Sequence, residues 1–286
     1  MYYKLLVLII NVIAFIQHLI PFNNNHMTTL SLSLNAIPNI PLIKPNDDLA
    51  NIILHALTSS GNEPEDDDII AIAQKIVSKS EGCIVDLAMV KPSARAIKLA
   101  QEINKDPRQI ELVLSESKEI IAYKPGVIIV EHHSGVILAN AGIDHSNVVS
   151  NTDNTENKEV VCLLPKDANK SAKRLKKEIE SICNKNIGII ITDSIGRPWR
   201  MGTTGVAIGS AGIETLRDLR GNKDMFGHEL MVSETADADS LASAACLLMG
   251  EGDDATPVVL IRGYKTVISN QDARQLLRPK DEDMFR

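Results

Sequence analysis

An acid and a hydroxyl at the end of an apolar run, followed by two arginines and several glycines, are residue types that can hold a metal and a phosphate. They stand in that order in Ile191-Thr-Asp-Ser-Ile-Gly-Arg-Pro-Trp-Arg200, after the apolar run Asn186–Ile191 and before the small-residue stretch Met201–Gly212. Asp193 can bind a hard cation through oxygen. Arg197 and Arg200 can fork onto phosphate or carboxylate oxygens. The glycines allow backbone N–H groups to approach an anion closely. The same residues also suit a plain strand-to-loop turn with an Asp cap and two solvated arginines. Trp199, the only tryptophan, is read as a packing anchor.

Two more acids stand among small residues: Asp144 in Asn-Ala-Gly-Ile-Asp, and Glu251 in Met-Gly-Glu-Gly-Asp-Asp254. Carboxylates from separate loops can meet around one or two divalent cations. Magnesium or manganese suits all-oxygen donors and carries nucleotide phosphates. Each acid taken alone is more simply explained by an Asx turn or a helix end than by a metal. Lys79, in Val-Ser-Lys-Ser-Glu-Gly82, is a candidate phosphate contact, with surface solvation as its plainer account. No G-x-x-x-x-G-K-[ST] loop occurs, and Gly205, Gly209 and Gly212 do not form a dinucleotide fingerprint. A nucleotide would need a different cradle.

The elements that must position these residues follow from periodicity. Leu30–Ile37 alternates as a strand, and Asn46–Leu57 opens with capping acids and continues at helical spacing. Ile69–Ala73 is a short strand. Ser93–Ile103 is a helix, and Asp106-Pro107 starts a second one running to about Ile120. Val127–Ala139 reads as a hairpin around His132-His-Ser-Gly135, a polar turn rather than a metal site. Ser150–Lys158 is a surface loop. Ser171–Cys183 and Ala236–Met249 are helices, the latter capped by Gly250. Pro257–Ile261 is a buried strand, and Gln271–Arg286 a frayed tail. Strands and helices do not alternate regularly, so the fold class is α+β, with mixed or antiparallel sheets and flanking helices.

Composition bounds the function classes. The chain has 286 residues, 44% hydrophobic and 23% charged, with a formal net charge of −7. That balance, and an aromatic content of 3%, argue against a nucleic-acid partner. The basic stretch Lys170–Lys177 shares a helix with Glu178 and Glu180 and is read as a solvated face. Cys83, Cys162, Cys183 and Cys246 have no metal-type spacing and are expected as reduced thiols in a cytoplasmic protein. Residues 1–26 contain an apolar run that is shorter than a membrane span, broken by polar residues, and followed by no small-x-small cleavage site. They are read as an extension outside the fold, with a signal or anchor as the alternative. Residues 27–286 then form the folded domain, of one or two lobes.

Four segments carry a resemblance: Asn140–Val148, Ile191–Arg197, Gly221–Leu230 and Leu248–Gly252. In this order and approximate spacing they closely resemble the coenzyme F420 γ-glutamyl ligases, and the likeness spans about Leu34 to Gly263. The resemblance implies a γ-glutamyl ligase-type fold without a P-loop, a homodimer, and a GTP-dependent ligase. The implied reaction adds L-glutamate to the deazaflavin precursor F420-0, extends it through a γ-linkage, and releases GDP and phosphate. It implies two divalent ions per site, magnesium or manganese, on Asp144, Asp193, Ser194 and Glu251, and admits a monovalent cation. Implied GTP contacts are Asn147, Lys79, Gln74 and Lys75, with Met249, Gly250, Gly252, Asp253, Asp254, Ala255 and Thr256 bordering the nucleotide.

Departures weaken some assignments. Asn39-Ile40-Pro41 replaces the family's Gly-Leu-Pro, so Asn39, Ile40, Pro41 and Leu42 are a weaker GTP contact. Gln74-Lys75 replaces a Ser-Thr pair of some relatives, and Ser194 replaces threonine. Some relatives carry a second, nitroreductase-like domain; none is seen in this sequence, and no flavin reductase activity is expected. Arg197 and Arg200, as holders of substrate phosphate or carboxylate, are an inference from residue type. Two other readings use the same residues: a metal-dependent phosphatase, and a non-catalytic GTP-binding regulatory module. The small-residue stretch Gly205–Gly212 and the helix face Ala242–Cys246 are offered as surfaces close-packed enough for a dimer.

Overall fold

Apolar runs set the central sheet. Ile69–Ala73 and Gly188–Ile191 have hardly a polar residue, which marks strands covered on both faces. In the computed structural model, which describes residues 30–145, 159–265 and 267–285, they lie side by side and parallel. The sheet has five strands. Its order is β1 (Ser33–Ala36), β12 (Val258–Arg262), β2 (Ile69–Ala73), β8 (Gly188–Arg197) and β9 (Arg200–Ala211). Only the β2–β8 pairing in this sheet is parallel; its other neighbours run antiparallel. The α+β class with mixed sheets is therefore what the chain adopts. The 1–26 extension, the Ser150–Lys158 loop and Asn147 lie outside the described residues.

Alternate side chains of the sheet feed two cores. Ile70, Ile72, Ile189, Ile191 and Leu260 pack under α1 (Leu49–Ser59) and α5 (Ala168–Cys183). Ile69, Ala71, Ile190, Val259 and Ile261 pack under α6 (Asp237–Met249). In the chain between β2 and α5 come α2 (Gln74–Ser80), directly after β2 and packed in the first core, and a group of elements that forms a second lobe within the one compact unit of residues 32–286. That lobe contains β3 (Ile84–Asp86), α3 (Ala94–Ile103), α4 (Pro107–Ser115), β4 (Ser117–Lys124), β5 (Val127–His132), β6 (Ile137–Ala139) and β7 (Val160–Cys162). Its own core holds Leu99, Ile103, Ile110, Ile128, Val130 and Val161. Side-chain caps start four helices, Asp48, Ser93, Asp106 and Asp167 each accepting a backbone N–H from the first turn; the Asp167 cap starts its helix at Ala168, three residues before the expected Ser171.

Four expectations need correction. The helix from Pro107 ends at Ser115, not near Ile120, and the next residues form β4 against β5. The β-branched pair Ile120-Ile121 fits a strand better than a helix. Second, no loop follows Asp193: β8 continues to Arg197, and the small-residue stretch Met201–Gly212 is a strand, β9 spanning Arg200–Ala211 and pairing with β8 along its length. Its glycines make room for helices. A Cβ on Gly205 would lie 2.5 Å from Ala242 O, and one on Gly209 would lie 2.4 Å from Ala168 O. These two glycines face opposite sides because Ile208 is an extra residue in the ladder, with Ile191 opposite Gly209 and Thr192 opposite Ala207. The small-residue face offered for a dimer is thus used within the chain, α6 against β9.

Third, the tail is docked rather than frayed. Gln271 Oε1 accepts from Thr215 N and Leu216 N, Asn169 Oδ1 accepts from Ala273 N, and Asp272 takes Lys173 and Arg274. Fourth, the expected hairpin is present, β5 against β6, but its turn begins after His132, which is the last residue of β5 and is buried near Glu116. The basic face of α5 is largely paired, through Lys173–Asp272, Arg174–Glu81 and Lys176–Glu180. All four cysteines are free thiols. No helix among the described residues is long and apolar enough to cross a membrane.

Candidate active site

Strand β2 ends at Ala73, opposite Thr192 of its parallel neighbour β8, which runs on to Arg197. Ligands in open sheets commonly bind beyond such carboxyl ends. Here that edge opens on a cavity of about 420 Å³, within the usual range of a small-molecule site. Five chain segments surround it. β2 passes straight into α2, which places Gln74, Lys75 and Lys79 along the wall. Lys75 and Lys79 are four residues apart, so they share one helix face. β8 contributes Asp193 and Ser194, and the stretch after β1 contributes Ile40, Pro41 and Leu42. The loop from α6 to β12 brings Met249, Gly250, Glu251, Gly252, Asp253, Ala255 and Thr256.

Asp144 comes from the second lobe and completes the wall. Three successive residues before it, Asn140, Ala141 and Gly142, take left-handed φ values of 53°, 55° and 71°. Two such residues with a side chain in a row are rare. Lys105 Nζ donates to Asn140 Oδ1 at 2.9 Å and holds one side of the turn. On the other side Asp144 and Cys162 exchange backbone hydrogen bonds of 3.0 and 2.9 Å. The Asn-Ala-Gly sequence thus makes a tight reversal that delivers a carboxylate at its exit.

The loop after α6 is built similarly. Gly250 ends the helix at φ 69°, and the Asp254 carboxylate folds back so closely that a Cβ on Gly250 would lie 1.8 Å from its Oδ2. Thr256 Oγ1 donates to Leu248 O at 2.8 Å and closes the loop. Thr203 Oγ1 lies 3.4 Å from Glu251 Oε1 and steadies it from β9.

Burial dominates the electrostatics of the cavity, acting on a carboxylate and an ammonium alike. Burial pushes the Asp193 carboxyl up to about 7; the Ser194 N–H opposes this, the Asp144 carboxylate adds to it, Lys75 opposes it, and Glu251 adds to it. Burial, and repulsion from Lys75, hold the Lys79 ammonium below its ordinary range, against the opposing effect of Cys162. Asp144, Asp193, Ser194 and Glu251 offer only oxygen donors, the chemistry a hard divalent cation takes. Among the described residues, no three His, Cys, Asp or Glu side chains come close enough together to cage an ion. Magnesium binds through one or two carboxylates and completes its shell with water and phosphate oxygens, so this donor set fits such a cation.

The structure brings most sequence-selected residues to one place, but not all. Asn39 and Asp254 stand beside the cavity wall without lining it, and Asn147 is outside the described residues. Arg197 and Arg200 pair across the far end of the β8–β9 hairpin, exposed, and do not line the cavity. Trp199 in the turn between them is 79% exposed and meets Phe285 edge-on at 4.6 Å, a partial anchor only. Sequence reasoning passed over Thr192 and Cys246, which line the cavity with Oγ1 and Sγ 3.4 Å apart. Thr192 was findable as the neighbour of Asp193; nothing local marks Cys246.

Comparison with known proteins gives a consistent result. The family model described as F420-0:gamma-glutamyl ligase matches residues 38–263. The chain is similar to the coenzyme F420:L-glutamate ligase of Methanocaldococcus jannaschii, 45% identical over 222 residues, covering 78% of this chain and 86% of that protein. It is 39% identical over 259 residues to the protein of that name from Methanothermobacter thermautotrophicus, covering 90% of this chain and 100% of the relative. The Archaeoglobus fulgidus protein of that name is 37% identical over 250 residues, 87% of this chain and 94% of its own length.

Proposed function

The chain belongs to the F420-0:gamma-glutamyl ligase family, and from that membership we propose that it joins L-glutamate to the coenzyme F420 precursor at the expense of GTP. One observation supports this most: residues of three of the four resembling segments, Asn140–Val148, Ile191–Arg197 and Leu248–Gly252, line one cavity of about 420 Å³ together with Lys75 and Lys79, while Gly221–Leu230 lies outside it. A carboxylate is a poor electrophile, so an amide bond requires its activation. In the proposed reaction the γ-phosphoryl group of GTP passes to the precursor's carboxylate. The glutamate amine then attacks the acyl carbon, and phosphate leaves.

Each wall has a part. Lys75 and Lys79 hold phosphate oxygens from the α2 side. Gln74 and the loop Met249–Thr256 border the nucleotide. Asp144, Asp193, Ser194 and Glu251 would hold magnesium or manganese, two ions in the fullest reading. A bound divalent cation supplies neutralisation of the phosphoryl charge during transfer. Ile40, Pro41 and Leu42 close the remaining side with apolar surface and limit hydrolysis of the acyl phosphate. Arg197 and Arg200 are assigned to an anionic part of the substrate that extends outside the cavity.

Nucleotide turnover tests the reading. GDP release from the purified chain should require both precursor and L-glutamate. GDP released at full rate with glutamate withheld identifies a phosphatase instead. Tight GTP binding with no turnover under any condition identifies a regulatory module.

A further inference from the structure

Lys75 and Asp144 reach the cavity from different lobes, and their side chains meet. Lys75 Nζ lies 2.7 Å from Asp144 Oδ2, with the two side chains 26% and 36% exposed. Lys75 stands in the first turn of α2; Asp144 leaves the left-handed turn of Asn140–Gly142. Lys79 sits one helical turn further on and repels the Lys75 ammonium, which also faces the Asp193 carboxylate. The lysine is therefore a monovalent cation seated on a carboxylate that offers itself to a divalent one. A flexible stem of four carbons lets such an ammonium change partner without moving its backbone.

We propose that Lys75 is a built-in competitor at Asp144: it neutralises this carboxylate in the ligand-free cavity, and exchanges it for phosphate oxygen when a nucleotide arrives. The inference rests on the nucleotide and cation reading given above. Its consequence is an order of assembly. Before nucleotide is present, Asp144 binds a divalent cation weakly, because the ammonium shares its oxygens and repels the incoming charge. A nucleotide draws the ammonium away and frees Asp144. By reciprocity, a divalent cation on Asp144 frees Lys75 for phosphate. A lysine that only braced the two lobes would behave otherwise, since its removal would loosen every ligand alike.

The test uses the full chain and its Lys75→Gln variant, with Lys75→Met as a second variant that keeps the methylene stem. Manganese alone is titrated by electron paramagnetic resonance, and GDP in EDTA by calorimetry. Manganese should bind the variants about threefold tighter or more, the scale of a partly exposed ion pair. Metal-free GDP should bind them more weakly, and the enhancement of manganese affinity by GDP should shrink. Lys75→Arg, which retains the charge, should resemble the parent in both titrations. Manganese affinity that is unchanged or reduced in Lys75→Gln and Lys75→Met overturns the proposal while leaving the site reading intact. A parent chain that binds neither manganese nor GDP overturns both.

Discussion

Asp193 is a carboxylate kept where a carboxylate is costly. Burial raises it, and Asp144 and Glu251 add like charge nearby. A group tolerated under such conditions belongs to function rather than stability. Asp193→Asn should therefore abolish ligation, by several kcal/mol of lost transition-state stabilisation, on the order of a thousandfold in kcat. The same change should leave the thermal midpoint of the ligand-free protein equal or higher. Near-parental kcat at saturating manganese, or a marked fall in midpoint, would remove Asp193 from its assigned role. The acids of the site were legible in the sequence because each stands beside Gly or Ser at the end of an apolar run. Lys105 was not, since its contact with Asn140 joins residues 35 apart in the chain. Cys246 was hidden for the same reason, sitting on a helix whose local pattern calls only for a small apolar face.

At the scale of elements, β9 carries its own test. Gly209→Ala places a methyl 2.4 Å from the Ala168 carbonyl oxygen, which backbone cannot easily yield, so it should destabilise by about 1–3 kcal/mol. Gly196→Ala meets nothing within 4 Å and should stay within about 0.5 kcal/mol of the parent. Denaturant unfolding compares the two; equal midpoints would refute the close packing of α5 on β9. The docked tail gives a second test. Arg274, first, and also Lys173 hold the Asp272 carboxyl well below the usual carboxylate range. A depressed carboxyl stabilises the fold above its unfolded pKa, and the benefit is lost as pH falls through the folded value. Asp272→Asn should cost about 1–2 kcal/mol at pH 7, and the gap to the parent should begin to narrow below about pH 4 and go on shrinking as pH falls further. A gap that is constant down to pH 2 would contradict it. The strands and helices that sequence located well are those with strong periodicity or side-chain caps. It missed β4, the strand character of β9 and the seating of the tail, because those depend on partners distant in the chain: β5, the two helices astride β9, and Asn169.

For the whole molecule, a homodimer remains the expectation, carried now by different residues. Gly205 and Ala242 are occupied with each other, whereas Trp199, Met201, Phe226 and Val232 are each at least 79% exposed. Large exposed apolar side chains commonly mark interaction surfaces. Light scattering at micromolar concentration should return twice the chain mass, and Met201→Glu with Phe226→Glu should shift it toward the monomer; a monomeric parent would refute this. The most direct test of the proposed ligase is the product itself. The purified chain is incubated with F420-0, L-glutamate, GTP and manganese, and the deazaflavin is followed by mass spectrometry. The account predicts a species heavier by one glutamate residue, formed with one GDP per bond and absent when GTP or glutamate is omitted. Unchanged F420-0 alongside continued GDP release would contradict it.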